Sequence, residues 1–197
     1  MTREAADPGD LVIGAKRTGA RTRIGPPHAT DDHGSAGCRS AKPPVGIMRR
    51  HEGAEAGTGG WSLSGASVVS GNESYKVRNA KDSKSLAIAA TGRVVSPAFC
   101  FSTAHPTFRL FAKRTSGTWG SMNVALRFKD STGATNETVV GAIGTGTSWS
   151  PTQSFALSGP IGLWNADQTA SVQIVLDPEN YGGAWAIDDV YIDPYKR

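Results

Sequence analysis

The sequence predicts an all-β fold, a two-sheet antiparallel β-sandwich of the jelly-roll type behind a disordered N-terminal tail. Three observations predict it. Short runs of alternating apolar and polar residues recur about every 8–14 residues from residue 51 onward, separated by Gly, Ser, Thr or Asn. Nothing in 51–197 holds the helical period for longer than a turn or two. The 24 Gly and 11 Pro supply the turns that so many strands require.

Residues 1–50 carry neither period. The stretch TGARTRIGPPHATDDHGSAGCRSAKPP has no aromatic and too little apolar surface to offset the entropy of ordering a chain. It is read as a tail, with the domain at 51–197. The strands follow in order as WSLSGASVVS (61–70), SYKVR (74–78), SLAIAA (85–90), RVVSPAFCF (93–101) and TFRLFAKR (107–114). SMNVALRFKD (121–130), ETVVGAI (137–143), TQSFAL (152–157), ASVQIVLDP (170–178) and AWAIDDVYI (184–192) complete them.

The clearest is 121–130. Met122, Val124, Leu126 and Phe128 point one way, and Asn123, Ala125, Arg127 and Lys129 the other. In 107–114, Phe108, Leu110 and Ala112 oppose Arg109, Phe111 and Lys113 in the same way.

Charge excludes one function class. The net charge is +4, and all of that excess lies in residues 1–50; residues 51–197 hold 12 basic and 12 acidic residues. A dispersed basic tail with no aromatic to stack on bases does not predict a nucleic-acid partner. No run of 18 apolar residues exists to form a transmembrane helix, so no membrane partner is predicted.

Two cysteines, Cys38 and Cys100, form neither a metal spacing nor a disulfide framework. Cys100 lies between two Phe and reads as a small buried hydrophobe, the alternative being a bond to Cys38.

The familiar catalytic patterns are absent: no G-x-S-x-G, no H-E-x-x-H, no P-loop and no dinucleotide-binding glycines. Of four His, only His105 lies among the strands, in a turn before residue 107. A non-catalytic protein is expected.

A binding site is better supplied. Sugar rings stack their apolar faces on Trp and Tyr, and their hydroxyls pair with Arg, Asn and Gln. Trp119, Trp149 and Tyr181 stand in Gly-, Ser- or Thr-rich stretches between strands. Arg109, Asn123 and Arg127 share one sheet surface if their strands pair, as a sugar-binding face or an ordinary solvated one. Trp61, Trp164 and Trp185 are read as core.

Two places carry a resemblance. HEGAEAGTGGWSLSG (51–65) puts Gly53, Glu55, Gly60 and Trp61 where galactose-binding-like jelly rolls have an opening strand, a Gly-rich link and a Gly-Trp pair. Ile187, Asp188, Asp189 and Val190 match the closing strand of the same modules. The chain thus resembles the galactose-binding-like jelly rolls of bacterial carbohydrate-binding modules, departing from them at His51, Glu52 and Ala54.

The resemblance implies a polysaccharide or glycan partner and a secreted or cell-surface setting. No signal peptide is visible: DLVIGA is the only apolar patch near the start. If residue 51 is the natural start of a module, residues 1–50 are sequence read through from an upstream start. A rival reading is a structural or adhesive jelly roll that packs against protein partners.

Asp188 and Asp189 sit side by side inside an apolar strand. They could face solvent or backbone N–H groups, pair with a cation, or hold calcium, which takes about 6–8 oxygens in irregular geometry. The resemblance implies a structural calcium between the first and last strands, held by Glu55, Asp188 and Asp189. Because Ile187 and Val190 are three apart, both reach one core only if the strand bulges between them.

Overall fold

The protein is described by a computed structural model that covers residue 38 and residues 60–77, 80–103, 105–144, 146–162, 169–179 and 183–193. The expected tail, apart from Cys38, lies outside the described residues, as do Glu55, Trp164 and Tyr181. All of the described residues fall in one unit, His33–Arg197.

Among the described residues ten strands follow one another: β1 (Ser62–Ser70), β2 (Lys84–Val95), β3 (Phe99–Ser102), β4 (Thr107–Arg114) and β5 (Met122–Lys129) come first. β6 (Thr135–Ile143), β7 (Ser150–Pro151), β8 (Phe155–Ala156), β9 (Thr169–Pro178) and β10 (Trp185–Asp193) complete the fold. Their main order is β6-β5-β9-β2-β10-β4-β7, with β1 on β2, β3 on β9 and β8 on β4.

β2 is the joint between the two halves. Its early residues Leu86–Ile88 pair with β10, whereas Val94 and Val95 pair with β9. Between them the β1–β2 register slips, where Ser64 meets Arg93 but Ala66 meets Ile88. The sheet curls over itself there and closes one core. Phe108 and Leu110 of β4, Val124 and Leu126 of β5, Ile174 and Leu176 of β9, and Trp185 of β10 all belong to it. Alternation of period two put each of them there. Trp61 packs against the same core from its edge.

Three expectations need correction. Residues 74–77 form a turn and not a strand, because the buried Glu73 carboxylate draws in the N–H groups of Tyr75 and Val77, the latter at 2.8 Å. A nearby side-chain acceptor has taken donors that a strand ladder would use. Phe111 alternates away from the core yet is only 3% exposed. The rings of Tyr75 and Tyr191 stand 5.2 Å and 6.1 Å from it and cover it.

Cys38 and Cys100 form a disulfide. Cys38 is buried, so a segment read as tail is fastened to β3 at this point. The sequence hid this, because a bridge between residues 62 apart has no local pattern.

Candidate functional site

β10 sends Trp185, Ile187 and Ile192 into the core, and between them Asp188 and Asp189 are only 5% and 4% exposed. The expected bulge is present. Asp188 pairs with Phe111 and Tyr191 with Arg109, so three steps along β10 match two along β4. Asp189 adopts a φ of 35°, a left-handed conformation uncommon for a residue with a side chain.

The Asp188 carboxylate accepts the N–H of Glu73 at 3.0 Å and that of Asp189 at 2.9 Å. Exposure to solvent is therefore overturned for both side chains, and backbone satisfaction holds for Asp188. A third buried carboxylate arrives from the β1–β2 connection: oxygens of Asp82, Asp188 and Asp189 lie within 4.8 Å of one another. Burial above all, and then the charges of Asp189 and Asp82, push Asp188 up to about 7 against those two N–H donors.

Sequence reasoning missed Asp82. It sits in NAKDSKS, an ordinary polar turn, and only the pairing of β2 with β10 brings it to Asp188.

The outer face of β6, β5, β9 and β2 carries the other polar group. Asn123 lies opposite Asp177, Ala125 opposite Val175, and Arg127 opposite Gln173 on one side and Glu137 on the other. Arg93 binds Asp177 and Glu137, each at 2.5 Å, and Arg127 binds the second oxygen of Glu137 at 3.1 Å.

Arg93 is on β2 and Glu137 on β6, with β9 and β5 between them. Arg93 is level with Asp177 and Asn123, whereas Glu137 is level with Arg127, four residues along β5. On a flat sheet their Cα atoms would stand roughly 19 Å apart, beyond what two extended side chains can bridge. The face is therefore concave. Val95, Ala125 and Val175 form a small buried cluster on it, away from the main core.

Burial works against ionising Glu137, but hydrogen bonds from Arg93 and Arg127 outweigh it and hold the carboxyl below its usual range. Arg93 is held above its ordinary value, chiefly by its bond to Glu137.

The expected ligand residues divide between two surfaces. β4 pairs with β10, β7 and β8, whereas β5 pairs with β6 and β9, so Arg109 does not share a sheet surface with Asn123 and Arg127. Trp149 is half-buried on the side of Arg109, with the Lys113 ammonium 4.8 Å from its ring centre. Trp119 is 81% exposed in the loop leading into β5, at the Asn123 end of the concave face. Missed altogether were Arg93, Asp177 and Glu137 as one network, since their strands are brought together only by the sheet order.

The sequence matches no protein-family profile and no curated protein. Solved structures do match. A tandem of two family 22 carbohydrate-binding modules from Paenibacillus barcinonensis Xyn10C is 16% identical with a TM-score of 0.50, over 80% of this chain and 48% of the tandem.

The fold is a β-sandwich jelly roll.

The C-terminal family 22 module of Clostridium thermocellum Xyn10B is 15% identical over 79% of this jelly roll's chain and all of its own, at a TM-score of 0.48. A family 61 module solved with β-1,4-galactotriose is 16% identical over 77% of the chain, at a TM-score of 0.42. At 16% identity the likeness to the tandem is one of fold.

Proposed function

We propose that this jelly roll is a non-catalytic glycan-binding module that uses the concave face of β6, β5, β9 and β2. The single observation that carries the reading is that face. It is a curved strip of hydrogen-bonding side chains, Asn123, Asp177, Arg127 and Gln173, with an exposed indole in the loop at one end. Amide, carboxylate and guanidinium groups are the partners that sugar hydroxyls need, and an exposed Trp offers a ring a surface to stack on. The jelly-roll tandem of the same fold, a pair of carbohydrate-binding modules by name, supports it.

The test is binding to a panel of soluble polysaccharides by affinity electrophoresis and calorimetry. Trp119→Ala and Asn123→Ala should each weaken binding about tenfold or more, and Trp149→Ala should leave it unchanged. A folded protein that binds no polysaccharide refutes the reading and favours a protein-binding role.

A structural calcium at Asp82, Asp188 and Asp189 belongs to the same proposal. Oxygens within 4.8 Å of one another suit one ion, whose ligands at about 2.3–2.6 Å stand up to about 5 Å apart across it. The carboxamide of Asn72, next to the Glu73 N–H that meets Asp188, is buried without a hydrogen-bond partner among the described residues. Its oxygen is the donor type that calcium accepts. Bound there, the ion would neutralise buried charge and fasten β10 to the β1–β2 connection, with no part in chemistry on the glycan. A secreted or cell-surface setting suits the Cys38–Cys100 disulfide, which persists in an oxidising compartment.

A further inference from the structure

We propose that the Lys129 end of the concave face takes a carboxylated sugar unit, a uronic acid within a polysaccharide. This rests on the glycan reading of that face and adds the chemical class of the ligand. A depression of about 300 Å³ opens there between the ends of β5 and β9. Its size is at the small end of ligand sites and suits one sugar ring with its substituent.

The lining is of two kinds. Ala98 and Phe128 offer apolar contact to the C–H face of a ring, and Ser171 and Thr135 offer hydroxyls. Gln173 gives its amide N–H to Ser96 O at 2.8 Å, which leaves its oxygen for a sugar hydroxyl. Two cations, Arg127 and Lys129, complete the lining, and no carboxylate is among its described residues.

Charge then decides the ligand. The carboxylates of the face are already committed: Glu137 holds Arg93 with one oxygen and Arg127 with the other, and Asp177 holds Arg93. Asp130, next to Lys129, is turned into its own hairpin, where it accepts from Thr132, Ala134 and Asn136. Arg127 spends Nε and Nη2 on Glu137, so Nη1 remains. Lys129 has no acidic partner among the described residues. A neutral sugar would leave these donors half-used, whereas a carboxylate could accept from Nη1 with one oxygen and from the ammonium with the other. A half-buried Arg127 and an exposed Lys129 beside apolar contacts thus select an acidic ring.

The experiment compares a glucuronic-acid-substituted xylan, the same polymer with its carboxyls reduced to alcohols, and a sulfated glycan. The acidic polymer should bind about tenfold more tightly than its reduced form in dilute buffer, and the difference should shrink in about 0.5 M salt. Lys129→Gln, checked by an unchanged melting temperature, should bring the two polymers to within about twofold. Equal binding of the acidic and reduced polymers overturns the uronate assignment and leaves the glycan reading standing. Failure to bind either overturns both. Binding to the sulfated glycan as tight as to the uronate polymer overturns the assignment too, since it marks unselective attraction of anions.

Discussion

Asp188, nine residues from the end of the chain, accepts the N–H of Glu73 at 3.0 Å across 115 residues of sequence. That bond ties the bulge of β10 to the β1–β2 connection and brings in Asp82 as a close neighbour. A buried carboxylate between two others is tolerable only when protonated or when a cation neutralises it. The pH and calcium dependence of stability follow from this.

With chelator present, stability should fall as pH rises between the unfolded carboxylate value, about 4, and about 7. In this window folded Asp188 keeps a proton that the unfolded chain has released, so each rise in pH favours unfolding. The loss should approach about 4 kcal/mol at most across the window. Urea titrations from pH 4 to 8 would read it, and Asp188→Asn should flatten the profile. A wild-type profile already flat in chelator would remove the basis of the argument.

Calcium should reverse that trend. The ion binds the ionised carboxylates, so millimolar calcium should raise the melting temperature near pH 7.5 by several degrees and do little near pH 4.5. Asp82→Asn should abolish the shift while leaving the fold intact by circular dichroism. A midpoint unmoved by calcium at pH 7.5 would sink the metal proposal.

Reduction of the Cys38–Cys100 bond should cost stability without unfolding the sandwich. Closing a loop of 62 residues constrains the unfolded chain by about 4 kcal/mol in the chain-entropy view. Equilibrium denaturation of the Cys38→Ala/Cys100→Ala variant would show it as a lower midpoint. A change below about 1 kcal/mol would mean that the bond constrains little.

Gly183→Ala should destabilise the end of the sandwich near Trp119. Gly183 has a φ of +70°, and a Cβ there would meet Ser116 O at 2.0 Å, with Gly117 Cα at 3.2 Å. The clash is with backbone, which cannot swing aside, so a loss of about 2 kcal/mol or more is expected by denaturant titration. Gly133→Ala is the contrasting case. Its φ is +83° but its surroundings are open, so backbone strain acts alone and the loss should be nearer 1 kcal/mol.

Much of the fold was legible in the residues themselves. Alternation along Met122–Phe128 and along Phe108–Ala112 named core positions correctly, because the pleat leaves a strand no other way to bury every second side chain. The three-residue spacing of Ile187 and Val190 even foretold the bulge in β10. Where a side chain competed for the backbone, as Glu73 does at 74–77, the same alternation misled.

The candidate site was legible only in part. Asp188 and Asp189 stood out because two carboxylates in an apolar strand cost energy that something must offset. Asp82, the Arg93–Glu137–Asp177 network and the Cys38–Cys100 bond did not, because each joins residues far apart in sequence that meet only once β2 has turned from one half of the sandwich to the other. Local pattern decides which face of a strand is buried. Which strands become neighbours is a property of the whole closed sheet, and the tertiary structure alone placed Asp82 beside Asp188 and parted Arg109 from Arg127.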